Sequence, residues 1–243
     1  IYGVPGIVSA SNRGVSTYHN PIIINGFNIQ DPLNGGVDLN LIPVFFIDEI
    51  LIKSGGGSSL FGSGAIGGSI HLNNKNTFNK GTQISSFINL ASIKNLDFGI
   101  SYKYSNKKLS NTTKIFYSNK QNEFRYLNTY KIGIPLDTQF NAQQLSKGLL
   151  QSNSFLIKKN QKLNSSLWIL QTDKNIPPRL DQNYSYQNQS DESIRYTIDY
   201  NLFKTRKKFT LRNATYYNNL IYSKSDINLD AMHSSITNIT EFE

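Results

Sequence analysis

The segment SIRYTIDYNLF, residues 193–203, alternates without a break. Ile194, Tyr196, Ile198, Tyr200 and Leu202 fall on one side, and Arg195, Thr197, Asp199 and Asn201 on the other. Successive side chains of a strand point to opposite faces, so strict alternation over this length means a strand with one apolar and one polar face. FGISYKYS (98–105) repeats the pattern, with Phe98, Ile100, Tyr102 and Tyr104 set against Gly99, Ser101, Lys103 and Ser105. KLNSSLWIL (162–170) sets Leu163, Leu167 and Ile169 against Asn164, Ser166 and Trp168.

Such segments predict about eight strands, near 83–91, 98–106, 110–120, 149–158, 162–173, 192–203, 208–222 and 234–243. The second, fourth and sixth connections, NKKL (106–109), KNQK (159–162) and KTRK (204–207), are short and basic. The third, fifth and seventh, 121–148, 174–191 and 223–233, are longer, and only the first, SIKNLD (92–97), departs from the rhythm. Connections sorted by parity are the habit of outer-membrane barrels, with tight turns at one rim and long loops at the other. A soluble sandwich has no reason to sort them.

Composition agrees. At 38% hydrophobic the chain is thin for a two-layer core, while its 14 Tyr and 14 Phe suit strands with one apolar face. No run of 18 apolar residues occurs, which excludes a membrane-spanning helix and leaves spanning strands open. The final SSITNITEFE alternates up to Glu243, so the barrel is expected to continue beyond it. Eight strands alone would close a small barrel filled by its own side chains. Such a barrel leaves no room for the Gly-rich first third, whereas about 22 strands enclose a wide enough lumen.

Residues 1–78 have another texture. Short apolar runs, PIII (21–24), LIPVFF (41–46) and EILI (49–52), are bounded by turn residues at Asn25-Gly26, Asp31-Pro32 and Asn34–Gly36. They read as a small mixed domain of short strands with one helical turn near Asp38–Pro43. The chain opens IYGVPGIVSA, without a basic start and apolar run, and so reads as the interior of something longer. The division expected is 1–78 and 79–243.

The net charge of +9 comes from lysines that are spread out rather than striped, which favours solvated turns over a nucleic-acid surface. With no cysteine there is neither a disulfide framework nor a thiolate metal site. His19, His71 and His233 are too scattered to bind a metal or serve a catalytic constellation. No catalytic residue, resident metal or cofactor is expected.

IKSGGGSSLFGSGAIGGSIHL (52–72) is crowded with glycine yet bracketed by strand-like runs, so it is expected to be ordered. Its GSGAIG (62–67) fits G-x-G-x-x-G, but it leads into strand-like GSIHL, and the next acidic residue is Asp97. A dinucleotide fingerprint needs a helix there and an acid about twenty positions on. A P-loop and a G-x-S-x-G elbow are both absent.

GVPGI (3–7), NRG (12–14), IIINGFNIQDP (22–32) and IPVFFIDEILIKSGGGSSLFGSGAIGGSIHL (42–72) resemble the plug domain of TonB-dependent outer-membrane receptors. The resemblance covers the first third of the chain, and the strand rhythm after it fits the barrel that follows such a plug. It implies an all-β protein: the C-terminal part of a plug, then about eight antiparallel strands of an incomplete barrel of the 22-strand type. In this family the Gly-rich segment ends the plug and lies against the wall, so Gly55, Gly62, Gly64, Gly67 and Gly68 become plug–wall contacts, with Arg13 a charged one. Leu51 and Ser54 stand where the family carries Glu and Arg, Gly56 where it carries Pro, and Phe61 where it carries Tyr.

The resemblance further implies import of a scarce, bulky nutrient such as cobalamin or a ferric siderophore across a Gram-negative outer membrane. The TonB complex would drive it through an N-terminal segment outside this chain. The protein would be a lipid-embedded monomer, with no enzymatic activity and no nucleic-acid partner. The implied ligand contacts are Asn28, Gln30, Asp31 and Asn34 at the plug apex, Arg125 and Tyr126 in one long loop, and Arg179 and Tyr184 in another. The competing readings are an ordinary turn for the first group and an aromatic girdle for the others. The rival for the whole chain is a non-transporting structural or adhesive outer-membrane β-protein, or an inactive receptor fragment.

Overall fold

The computed structural model describes residues 8–10, 16–30, 35–55, 65–204 and 207–242. Arg13, Asp31, Asn34, Gly62 and Gly64 lie outside the described residues. The chain divides into two compact units, Ile7–Asn76 and a larger one from Thr77 onward. The described residues contain strands, turns and single 3-10 turns, with no α-helix.

The smaller unit is built on a four-stranded sheet in the order β2-β1-β4-β3. Its strands are β1 (Ile22–Ile24), β2 (Phe27–Asn28), β3 (Glu49–Ser54) and β4 (Gly68–Asn73). Asn25 and Gly26 join β1 to β2 with φ of 49° and 94°, the left-handed pair that a tight two-residue hairpin requires. β1 runs parallel to β4, Ile22 opposite Ile70, while β3 is antiparallel to β4. Each residue of β1 is buried, as a continuous apolar run in a central strand should be. Ile42, Phe46 and Leu72 complete this core, with Phe46 wholly enclosed. A 3-10 turn at Leu39–Leu41 is capped by Asp38, whose carboxylate accepts from the Asn40 N–H. It also accepts from the Val8 N–H at 3.0 Å. Asn74 ties the unit together: its side-chain amide donates to the Phe46 carbonyl at 2.5 Å, its backbone N–H donates to Asn25 Oδ1 at 3.0 Å, and the Asn25 amide donates to Asn74 Oδ1 at 3.1 Å.

The described residues of the larger unit carry ten strands: β5 (Gly81–Ala91), β6 (Asn95–Ser105), β7 (Leu109–Lys120), β8 (Arg125–Leu127), β9 (Leu136–Thr138), β10 (Gln144–Lys158), β11 (Gln161–Ile176), β12 (Gln187–Lys204), β13 (Lys207–Lys224) and β14 (Leu229–Phe242). Eight of them form one antiparallel meander, β14-β13-β12-β11-β10-β7-β6-β5, and β8 pairs with β9 as a separate hairpin. The eight expected strands are all present, and most run several residues further than the alternation alone shows.

Two connections differ from expectation. The stretch 121–148 is not a plain loop, because it contains β8 and β9 and ends where β10 begins at Gln144. The seventh connection is only 225–228, since the ladder continues to the pair Lys224–Leu229. Polar residues on both faces hide that part of β14: Ser234 and Asn219, opposite one another, hydrogen-bond at 2.9 Å.

The faces of this sheet are inverted relative to a water-soluble core. Ser101, Ser110, Thr112, Ser146, Ser154, Ser166 and Thr172 are buried. Ile84, Ile88 and Ile236, at 71, 67 and 76% relative exposure, stand open on the other face. Register aligns one outer row across the sheet as Ile100, Ile115, Leu149, Ile169, Ile194, Tyr217 and Ile236. A contiguous apolar face of this size marks a surface that meets something other than water.

Truncating Phe46 to Ala should cost the smaller unit about 3–5 kcal/mol, because the site is enclosed and its neighbours cannot collapse fully. Hydrogen exchange at the β1 amides measures it; unchanged protection there would mean that the core does not depend on this ring.

Candidate ligand-binding loops

The two long connections, 121–143 and 177–186, belong to the larger unit and are stitched together by asparagine amides. Asn122 and Asn141 take φ of 53° each, a left-handed backbone that asparagine tolerates better than most residues. The Asn122 N–H donates to Asn95 Oδ1 at 3.1 Å, the Asn95 amide donates back at 2.9 Å, and the Asn122 amide reaches the Ala142 carbonyl at 2.8 Å. Asn141 donates to the Ile176 and Ser185 carbonyls at 3.2 and 2.9 Å. Asn128, 1% exposed, accepts from the Tyr130 N–H at 3.0 Å and donates to Asp137 and to the Leu180 carbonyl, both at 3.1 Å. All but the Asn95–Asn122 amide pair and the Asn128–Asp137 bond satisfy a backbone group that a folded-over segment would otherwise leave unpaired.

Between these loops lies a cavity of about 470 Å³ lined in part by Tyr126, Lys131, Asp137, Phe140, Gln182 and Tyr184. The Phe140 and Tyr184 rings sit 6.3 Å apart with a 55° tilt, a favourable aromatic arrangement. Lys131 and Asp137 pair at 2.9 Å, so the two charges at the wall cancel. The Lys131 hydrogen bond, helped by Asn128 and the Thr138 N–H, holds the Asp137 carboxyl below the usual carboxylate range. What remains to meet a ligand is rings and amides.

The structure brings Tyr126 and Tyr184 together in this cavity. Arg125 is exposed and is not part of the lining; it neighbours Tyr126 on a strand, which turns the two side chains to opposite sides. Arg179 is exposed and pairs with Asp181 at 3.4 Å. Lys131, Asp137, Phe140 and Gln182 were not singled out by sequence. Their one signal is a lysine and an aspartate flanking a Gly-Ile turn, where Gly133 and Ile134 take φ of 80° and 46°.

In the smaller unit, Asn28 and Gln30 brace their own loop. The Gln30 amide donates to the Gly35 and Tyr18 carbonyls at 2.9 and 3.2 Å. Asn28 Oδ1 accepts from the Gln30 N–H at 3.0 Å, and its amide donates to Gln30 Oε1 at 3.2 Å. Gly55 takes φ of +104° with no atom within 4 Å of where a Cβ would stand, so backbone conformation is what demands glycine there. Gly68 opens β4 at φ of 138°. The buried Gly67 donates its N–H to the His19 carbonyl at 3.2 Å. His71 is buried, with its Nε2 2.8 Å from Ser69 Oγ. Burial, then the nearby Lys53, push its pKa down, which keeps the imidazole neutral at physiological pH. Among the described residues no cluster of ligating side chains fit for a metal ion occurs.

Residues 3–69 match the model of the TonB-dependent receptor plug domain. A 60-residue stretch is 40% identical to the vitamin B12 transporter BtuB of Vibrio vulnificus, covering 25% of this chain and 10% of that protein. A 75-residue stretch is 35% identical to the vitamin B12 transporter BtuB of Vibrio cholerae serotype O1, covering 30% of this chain and 12% of the relative. The fold is similar to that of the siderophore receptor PiuA from Acinetobacter baumannii, with a TM-score of 0.65 at 16% identity over 99% of this chain and 36% of that one. It is similar too to the copper transporter OprC, with a TM-score of 0.69 at 8% identity over 92% of this chain and 35% of that one. The relatives named here are transporters and receptors, not enzymes. The matched stretches span about a tenth of the curated relatives' length.

Because the Asp137 pKa is depressed in the folded loop, its pairing with Lys131 is present above the ordinary carboxylate range near about 3.9. It is lost as pH falls through the lower folded value. Lys131→Met should move the Asp137 titration, followed by carboxylate NMR, up toward the ordinary range. An unmoved titration would show that Lys131 is not what holds it down.

Proposed function

We propose, from the premise that this chain is a stretch of a TonB-dependent receptor, that it serves nutrient import across a Gram-negative outer membrane. The observation that carries this reading is the joining of a plug match over residues 3–69 to an antiparallel sheet whose open face is apolar. Such a face suits hydrocarbon, where spanning strands must pair every backbone group with a neighbour. On this reading residues 1–78 belong to the plug and 79–243 supply consecutive wall strands. On it, too, Arg13 and Gly55, Gly62, Gly64, Gly67 and Gly68 lie toward the wall, and TonB engages a segment N-terminal to this chain. The protein works as a monomer in lipid.

For cargo we favour cobalamin. The curated relatives matched over the plug are vitamin B12 transporters. The loop cavity, with its charges cancelled, offers rings and amides to a bulky ligand rich in hydrogen-bonding groups. Tyr126 and Tyr184 make the main contacts there, with Asn28, Gln30, Asp31 and Asn34 at the plug apex and Arg125 and Arg179 at the loop margins.

Equilibrium binding to membranes bearing the protein tests this. Cyanocobalamin should bind, and Tyr184→Ala should weaken it about threefold to tenfold, the value of one well-placed aromatic contact. Binding of a ferric siderophore instead would change the cargo, and binding of neither would favour an inactive receptor fragment. Membrane placement is tested apart from cargo. Ile169→Arg, in the middle of the apolar outer row, should destabilise the bilayer-inserted protein by about 2–4 kcal/mol in urea unfolding. No loss would mean that this face does not meet lipid.

A further inference from the structure

On the polar face of the sheet, Arg195 sits at the middle of β12 with no carboxylate beside it. Directly across lie Trp168 on β11 and Tyr216 on β13. Along its own strand come Ser193 and Thr197, and the diagonal positions are Ser166, Leu170, Ala214 and Asn218. The other charges on this stretch of the face are answered. Arg212 pairs with Glu241, and Asp199 accepts from the Asn164 and Asn201 amides at 3.0 and 2.9 Å. Asp97, further along, accepts from the Ser118 hydroxyl at 2.5 Å. Arg195 has no ion pair among the described residues.

Two hydroxyls nearby are unanswered as well. The Tyr216 side chain is 4% exposed, and its OH is closed to solvent without a hydrogen-bond partner. Ser235 Oγ is in the same condition. Ser235 lies opposite Asn218 while Thr237 lies opposite Tyr216, which puts Ser235 on the same face, one diagonal step from the tyrosine. A lone guanidinium and two idle donors, all on one face, make a costly arrangement unless something accepts from them. A planar acceptor with two oxygens suits a guanidinium fork best.

We propose that Arg195, Tyr216 and Ser235 form a carboxylate-binding site on the polar wall. Arg195 supplies the forked, charged donors, and the hydroxyls of Tyr216 and Ser235 donate to the remaining lone pairs. Trp168 closes the opposite side of the row. The inference rests on the reading of this face as the lumen side of the receptor wall. The carboxylate has two possible sources, a small acid passing through the lumen or a side chain from another part of the protein, and the chemistry is the same for both.

The test is NMR on the micelle-inserted protein labelled with ¹⁵N-arginine. The Arg195 Nε–H signal is assigned through Arg195→Lys and titrated with succinate. The expected result is a saturable shift of that signal, with Arg212, already paired, unmoved. Tyr216→Phe and Ser235→Ala should each weaken succinate about threefold to tenfold, the net worth of one typical hydrogen bond. If the protein supplies its own carboxylate, the signal ignores succinate and moves when pH is lowered through the carboxylate range. That outcome supports the site and assigns its source. A signal that follows neither succinate nor pH overturns the proposal. No cargo or uptake enters the measurement, so failure of the import reading leaves its outcome distinct.

Discussion

The backbone ladder of the eight-stranded sheet is what allows its two faces to exchange their usual roles. Each strand from β5 to β14 within the meander is paired along nearly its whole length, with one register irregularity at Leu156–Lys158. Strands held by that many main-chain bonds keep their shape without a conventional apolar core. Serines and threonines can therefore occupy the buried face while isoleucines stand open on the other. Much of the polar face then satisfies itself laterally. Thr172 donates to Ser146 across the β10–β11 pair at 3.0 Å, and Ser154 donates to Asn164 at 2.6 Å. Such bonds are individually modest, but their partners are fixed by register, so they also resist slippage of one strand past the next.

The smaller unit obeys the opposite rule and gathers an ordinary apolar centre around Ile22–Ile24 and Phe46. Its strands are short, at most six residues, and a sheet of that size needs burial to persist. Loop amides such as those of Asn25 and Asn74 close its turns in the same manner as Asn122, Asn128 and Asn141 close the loops of the larger unit. A chain rich in asparagine has put that residue where left-handed backbone and unpaired carbonyls coincide.

How much of this was legible in the sequence depends on whether information lay along a strand or between segments. Alternation announced β6, β11 and β12 directly, because the polar and apolar faces differ at nearly every step. The upper part of β14 was hidden, since Ser234 and Asn219 are polar at positions where the neighbouring row carries Ile236 and Tyr217. β8 and β9 are three residues each, too short for periodicity to register. The loop cavity was half visible. Tyr126 and Tyr184 stand out as aromatics in polar loops, but their meeting depends on Asn128 and Asn141 bonding to carbonyls 52 and 44 residues away. No local pattern encodes that. Of the two reasons for which a chain uses glycine, positive φ and close approach, position 55 shows the first, with φ of +104°.

The loop cavity and the polar wall differ in how they treat charge, and the difference bears on what each can hold. In the cavity Lys131 and Asp137 neutralise one another within 2.9 Å. An ionic ligand there would have to displace one partner and leave the other uncompensated. A neutral ligand meets no such obstacle and gains the rings. On the wall the balance is reversed: Arg195 faces Trp168 and Tyr216 with no acid in reach along its rows, so an anion is what the site lacks. On the two proposals above, neutral groups are taken at the loops and a carboxylate on the polar face, as separate properties of the larger unit. They follow from where register happens to set an acid opposite a base, as at Arg212 and Glu241, and where it does not.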